Sequence, residues 1–108
     1  MSARPGAAVL LVLAGAGAAP AACAERVTDA EALAIVQRHC VACHARKPAH
    51  PSFDAPPKGV ALETVDELKA WAVKMREQVL LDRNMPVGGD MSEEERAALG
   101  RWIEQLSR

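Results

Sequence analysis

Residues 40–44 of this 108-residue chain read Cys-Val-Ala-Cys-His, and this pentapeptide decides which fold we expect. Two residues separate its thiols, and an imidazole directly follows the second thiol. The pentapeptide ends a segment with helical apolar spacing, in which Leu33, Val36 and Cys40 share one face. That segment begins with Thr28-Asp-Ala-Glu31, a capping-box pattern whose hydroxyl and carboxylate satisfy free amides at a helix start. We therefore predict a helix over about residues 29–39 that presents two cysteines and a histidine at its end.

The spacing of these cysteines and the histidine is the attachment pattern of c-type haem. Two thiols at this spacing can form thioethers to the two vinyl groups of one porphyrin, and the adjacent imidazole is then carried to the iron. We expect one covalently bound haem c, attached through Cys40 and Cys43, with His44 as the proximal iron ligand.

Three other uses of the two thiols stay open. A redox dithiol is expected beside a βαβ unit, but no stretch of the chain alternates long enough to predict a strand. A zinc site needs a second pair of ligands, and His39 and His50 do not form one at the usual spacing. A disulfide between Cys40 and Cys43 would close a very short loop and add little stability. Haem attachment is favoured over all three.

The sixth coordination position of the iron needs a second donor if the centre is to be closed. We predict Met85, which lies in a loop, in the sequence Asn-Met-Pro, where the proline restricts the backbone. Met75 lies on the apolar stripe of a predicted helix, and Met91 precedes a predicted helix cap, so core packing is expected for both. His39 and His50 are the rival donors.

The first 24 residues have the features of a secretory leader. Arg4 is their only charge, the apolar run of residues 7–14 follows it, and small residues lead to a cleavage site after Ala24 or Ala21. Two glycines and a proline break the apolar stretch after residue 14, so it is shorter than the roughly 20 apolar residues of a membrane span. An uncleaved anchor is the alternative, and Cys23 is either lost with the leader or lipidated. We predict export to the periplasm, with residues 1–24 as signal peptide and residues 25–108 as one domain.

The composition of the chain limits its function. A net charge of −1 gives no strong basic field, which excludes a typical nucleic-acid binder. Half of the residues are hydrophobic, but only 3% are aromatic, and the leader holds a disproportionate share of the apolar ones. The rest is a thin core for a small domain, and such domains usually need a metal, a disulfide or a cofactor. The haem is expected to fill that need.

Two further capping boxes predict two more helices. Thr64-Val-Asp-Glu67 precedes a helix over about residues 65–81, and Ser92-Glu-Glu-Glu95 precedes one over about residues 93–106. The loops between the helices are rich in proline and glycine and are longer than simple connections require. The sequence therefore predicts an all-α domain of three main helices whose loops wrap around a bound group.

In this order of elements the chain resembles the small class I c-type cytochromes over roughly residues 27–107. The shared features are the capped helix into C-x-x-C-H, the proline loop, the Met-Pro loop, and a last helix bearing Leu99, Trp102 and Ile103. The resemblance implies that the first and last helices cross and shield the haem, and that a loop carbonyl orients His44. It leaves open which residue supplies this carbonyl among Pro48, Pro51, Pro56 and Pro57.

A narrower resemblance concerns the cytochrome c domain at the C-terminus of bacterial membrane-bound urate oxidases. It rests on five stretches: His50-Pro-Ser-Phe53, Ala55-Pro-Pro-Lys-Gly-Val60, Asn84-Met-Pro, Met91-Ser-Glu-Glu-Glu-Arg96 and Trp102-Ile103. In those proteins a multi-helix membrane part is thought to oxidise urate, and the cytochrome domain takes the electrons. Only the predicted leader precedes the cytochrome-like part here. The resemblance implies the electron-accepting subunit of a split system, or a relative used elsewhere.

We therefore expect a periplasmic, monomeric carrier of single electrons between redox proteins or from a membrane oxidoreductase, rather than an enzyme. The rival functions are a haem-based sensor or small peroxidase-like enzyme with a labile sixth ligand, and an obligate subunit of a membrane oxidoreductase. The side chains expected to keep water off the haem are Trp71, Trp102, Leu99 and Phe53. The cations beside the pentapeptide, namely Arg46, Lys47 and Lys58, are expected to be solvated or to pair with haem propionates, with a weak docking rim for an acidic partner as the alternative.

The haem is expected to be necessary for folding. The double variant Cys40→Ser/Cys43→Ser cannot attach the porphyrin, and the remaining apolar side chains then lose the surface that they would cover. We predict that this variant loses most of its helical circular dichroism. Helical content equal to that of the haem-bound protein would contradict the prediction.

Overall fold

Capping boxes begin three helices of the chain, as the sequence predicts. In the computed structural model, which describes residues 26–108, α1 spans Asp29–His39, α2 spans Val65–Ala70 and α4 spans Glu93–Gln105. In each helix, the hydroxyl of the cap accepts from the N3 amide, and the N3 glutamate accepts from the amide of the cap. The described residues form an all-α domain without strands. The predicted signal peptide and Cys23 lie outside the described residues.

The middle of the chain corrects one prediction, because residues 65–81 are not a single regular helix. α2 ends at Trp71, whose ψ of 12° departs from helical geometry, and α3 covers only Ala72–Met75. Residues Arg76–Leu81 then form a π-helical turn, in which the amide of Asp82 reaches back five residues to the carbonyl of Glu77 at 2.8 Å. Each irregularity shifts the face that the following residues present. The prediction for residues 65–81 assumed one constant helical period, and such a period cannot describe these changes of face.

Helices α1 and α4 pack antiparallel. The start of α1 contacts the end of α4, since Trp102 Nε1 donates to Asp29 Oδ1 at 2.9 Å. The end of α1 contacts the start of α4, since Arg38 Nη2 donates to Glu95 Oε2 at 2.7 Å. Just before α1, the amide of Val27 donates to the side chain of Gln105 at 2.9 Å. The two ends of the described chain are thereby held together.

One hydrophobic core lies between the helices. Trp102, Leu99, Leu68 and Val36 are its largest fully buried side chains, contributed by α4, α2 and α1. Half-buried residues that include Cys40, Val60 and Met85 pack against this core. The core thus reaches the end of α1 and both long loops. None of the helices within residues 26–108 is both long and apolar enough to cross a membrane.

A single carboxylate joins the end of α1 to the start of α4. Glu95 accepts hydrogen bonds from the amide of Ser92, from the guanidinium of Arg38 and, at 2.9 Å, lies beside Nε2 of His39. The hydrogen bond from Arg38, followed by that from Ser92, lowers the pKa of Glu95 from 4.5 to about 2. Because the pKa is lower in the folded chain, the charged form of Glu95 stabilises the fold.

This stabilisation is expected to be complete above a pH of about 4.5 and to be lost as the pH falls towards 2. Glu95→Gln should therefore lower the free energy of unfolding at neutral pH, and the difference from the parent protein should shrink between these two values. Urea denaturation at a series of pH values measures it, with Glu94→Gln at the exposed neighbouring position as control. A difference that stays constant down to pH 2 would show that the Glu95 charge does not connect the helices.

Candidate functional site

The Cys40–His44 pentapeptide continues the last turn of α1. The amide of Cys40 donates to the carbonyl of Val36 at 2.8 Å, and the amide of His44 donates to the carbonyl of Cys40 at 2.9 Å. Both cysteines are free thiols and are half-buried. One turn of backbone therefore presents two thiols and an imidazole together, as the spacing predicts.

The thiol of Cys40 is not an activated nucleophile. Burial, followed by the nearby Cys43, raises the pKa of Cys40 from 9.0 to about 11, so the thiol stays protonated at neutral pH. Redox-active cysteines have a pKa shifted in the opposite direction, because the thiolate is the attacking species. The raised pKa disfavours a redox role for Cys40. It is typical of a cysteine that packs against a hydrophobic core.

The imidazole of His44 is oriented by a backbone carbonyl. His44 Nδ1 lies 2.8 Å from the carbonyl oxygen of Val60, and the carbonyl of His44 accepts from the amide of Leu62 at 2.7 Å. A carbonyl can only accept, so Nδ1 carries the proton of the neutral ring and Nε2 keeps a free lone pair. This is the arrangement in which a histidine binds a metal through Nε2 while a second group fixes its tautomer. His44 could therefore bind a metal ion through Nε2.

The carbonyl that orients His44 belongs to Val60 and not to one of the four prolines considered from the sequence, which corrects that expectation. The short helical turn Pro57–Gly59 precedes Val60, and its residues Lys58 and Gly59 both have positive φ, at 57° and 74°. Glycine adopts such angles without steric cost, whereas lysine does so rarely. The left-handed pair reverses the chain and brings the following residue to His44. Any residue has a carbonyl, so no side-chain pattern could identify Val60.

Met85 is the methionine that the loops hold at the edge of the core. Its side chain is half-buried against the core, and the peptide bond to the buried Pro86 is cis. Its amide donates to the carbonyl of Gln78 at 3.1 Å, and its carbonyl accepts from Arg96 at 3.2 Å. Both polar groups of the Met85 backbone are therefore bound, which fixes the direction in which the side chain leaves the chain.

The other candidate donors have different environments. Met75 and Met91 are both buried in the core, at 6% and 4% exposure, as expected for packing residues. His39 has its Nε2 beside Glu95 and its Nδ1 3.9 Å from Asp90. His50 accepts from the amide of Ser52 and lies on the exposed loop. Of Met75, Met85 and Met91, only Met85 is half-buried at the edge of the core, where its thioether can face a bound group.

The side chains expected to exclude water divide into two groups. Trp102 and Leu99 are fully buried in the core, and Trp71 packs against it half-buried. Phe53 is exposed, and its ring lies tilted beside that of His50, with 5.5 Å between the ring centroids. The described structure therefore places three of the four at the core and Phe53 on the surface of the proline loop.

The cations beside the pentapeptide have different surroundings. Arg46 donates to Glu63 at 3.1 Å and to Glu67 at 2.7 Å, which ties the pentapeptide to the start of α2. Lys47 and Lys58 are exposed. Local pairing therefore accounts for Arg46, while the two exposed lysines are compatible with solvation and with a docking rim.

Arg96 is a functional candidate that the sequence-based predictions miss. It lies in the first turns of α4, is only 6% exposed and contacts the carbonyl of Met85. A signal was present, because Arg96, Leu99 and Ile103 follow each other at i, i+3 and i+7 on the apolar stripe of α4. A charged residue on such a stripe must bind a partner inside the protein.

Within residues 26–108, no three side chains of His, Cys, Asp or Glu converge as they do in a structural zinc site. Comparison of the chain with models of protein families, with curated proteins and with solved structures found no match.

Proposed function

We propose that this chain is a monohaem c-type cytochrome of class I that carries single electrons. The observation that carries the proposal is the contact between His44 Nδ1 and the Val60 carbonyl, which leaves Nε2 free one residue after a pair of free thiols. A histidine held in this way beside two cysteines at C-x-x-C spacing is suited to a covalently attached porphyrin.

The donor set fits a haem and does not fit the competing groups. Both thiols are free and half-buried, so each is available to form a thioether. The imidazole offers one nitrogen, and Met85 offers a thioether at the edge of the same core that Cys40 packs against. When bound, a haem supplies an iron that changes oxidation state by one electron.

Each residue of the site has a distinct role in this proposal. Cys40 and Cys43 would hold the porphyrin through thioethers, formed by addition of each S–H bond across a vinyl group without a leaving group. His44 would bind the iron through Nε2, and the Val60 carbonyl keeps its ring from rotating. Met85 would be the second protein ligand, and a methionine–histidine pair raises the potential of a haem iron. Trp102 and Leu99 give the domain a rigid apolar interior that excludes water.

The alternative of a sensor or peroxidase-like enzyme requires a sixth donor that leaves easily. The Met85 backbone is hydrogen-bonded on both sides, to Gln78 and to Arg96, and this favours a closed centre. A closed centre transfers electrons with little rearrangement but offers no open position for a gas or a peroxide.

The proposal extends to the place of the protein in the cell and to its partners. An exported carrier in the periplasm would take electrons from a membrane oxidoreductase or pass them between soluble redox proteins. A urate-oxidising membrane system is the donor that the narrower sequence resemblance suggests. The leader-like pattern of residues 1–24 is what supports export.

Substitution of methionines one at a time tests the proposed ligand. Replacement by leucine removes the sulfur and nearly conserves the volume, so the core is disturbed little. Met85→Leu should abolish the weak far-red charge-transfer band that methionine-bound ferric haem shows and should open the reduced protein to carbon monoxide. Met75→Leu and Met91→Leu, the matched controls, should keep the band.

Two results would overturn this assignment. Persistence of the band in Met85→Leu, with loss in one of the controls, would move the ligand to another methionine. Avid binding of carbon monoxide by the reduced parent protein would instead support the sensor or enzyme.

A further inference from the structure

A buried arginine lies next to the loop that carries Met85. The Arg96 side chain is 8% exposed, and its Nε has no hydrogen-bond partner in the described structure. The nearest carboxylate oxygen to Nε belongs to Glu93, at 3.9 Å, and the Glu93 side chain is itself largely exposed. Burying a guanidinium is costly unless its N–H groups are bound. The contacts that Arg96 does make must therefore be important for this part of the fold.

Those contacts are two backbone carbonyls bound by one nitrogen. Arg96 Nη1 donates to the carbonyl of Val79 at 2.6 Å and to the carbonyl of Met85 at 3.2 Å. Val79 belongs to the π-helical turn and Met85 to the loop after it. One guanidinium nitrogen from α4 therefore closes the segment between residues 79 and 85.

The end of the π-helical turn explains why these groups are available. The last carbonyls of any helix lack partners within it, and they also attract positive charge. Here three successive carbonyls find partners beyond the turn: Glu77 accepts from Asp82, Gln78 accepts from the amide of Met85, and Val79 accepts from Arg96. The helix end thus holds Met85 by its amide, and Arg96 holds it by its carbonyl.

We propose that Arg96 is a positioning residue that fixes Met85 as the iron ligand. This inference rests on the proposed function. It adds a residue that determines how readily an external ligand replaces Met85 on the iron. By holding the Met85 backbone, Arg96 opposes any displacement of Met85 that moves the loop, because such a movement breaks the bonds from Arg96 Nη1 to residues 79 and 85. These bonds therefore add to the strength with which a preorganised Met85 competes against an external ligand.

A second arginine near the same loop provides the comparison that the proposal needs. Arg83 has a positive φ of 58° and pairs with Glu93, but both side chains are more than half exposed. Exposed ion pairs contribute little to stability. Arg83 therefore carries a similar charge near Met85 without the buried bonds to the backbone.

The test is a titration of the oxidised, haem-bound protein with imidazole. Loss of the far-red methionine band measures how much imidazole has replaced Met85. Arg96→Met should raise the apparent imidazole affinity about tenfold to a hundredfold, which corresponds to the loss of hydrogen bonds from a charged donor. Arg96→Lys, which keeps the charge and can reach one carbonyl, should give a smaller increase. Arg83→Met should change the affinity by less than about threefold, because its pair is exposed.

A control variant separates positioning from general stability. Val27→Ala removes buried methyl groups beside the end of α4, far along the chain from the loop, and should lower the melting temperature without changing imidazole affinity. If Arg96→Met does not fold, Arg96→Lys carries the test.

Each outcome has a definite meaning. Parental imidazole affinity in the Arg96 variants, with the methionine band present in the parent, would overturn the role of Arg96 and leave the proposed function intact. An equal rise in affinity in Val27→Ala at a matched loss of melting temperature would also overturn that role. Absence of a Met85-dependent band in the parent protein would overturn the assignment of Met85, and this inference with it.

Discussion

The hydrogen bond between His44 and the carbonyl of Val60 is the contact on which the site depends. It joins the turn that ends α1 to the loop that leads into α2, two segments separated by 16 positions in the sequence. The adjacent bond from the amide of Leu62 to the carbonyl of His44 holds the same two segments by their backbones. Together they fix both the position and the tautomer of the imidazole. Two residues with positive φ, Lys58 and Gly59, make the loop turn towards it.

The opposite side of the proposed site depends on α4. Two consecutive residues of this helix perform different tasks: Glu95 binds the end of α1, and Arg96 binds the loop of Met85. The helix start therefore connects the segment that carries Cys40, Cys43 and His44 with the segment that carries Met85. The antiparallel packing of α1 and α4 makes this possible, because it brings the start of one helix to the end of the other. A movement of α4 would therefore displace both segments.

The sequence predicts well those features that local chemistry determines. Each capping box marks a true helix start, since the hydroxyl and the carboxylate act within four residues of each other. The pentapeptide is presented at the end of α1 because the helix simply continues into it. The burial of Met75 also follows from its position on an apolar stripe, and that of Met91 from its position just before the cap residue Ser92.

Features that depend on the backbone or on distant contacts are not predictable in this way. The helix expected over residues 65–81 is interrupted at Trp71 and widened after Met75, and neither change has a proline or glycine to announce it. The orienting carbonyl belongs to Val60 because of backbone angles two residues earlier, not because of its side chain. Arg96 is recognisable in the sequence as a charge on an apolar stripe. Its partners are not, because they are the backbone carbonyls of Val79 and Met85, 17 and 11 positions away.

The central claim is that Cys40 and Cys43 attach a haem whose iron His44 binds. Its most direct measurement is mass spectrometry of the protein, purified from cells that attach haem to exported proteins, followed by proteolysis and analysis of the peptide with the two cysteines. We predict the mass of one haem on that peptide and retention of the haem after extraction with acidified acetone. A peptide with two free thiols or an internal disulfide, and no haem on the chain, would contradict the account.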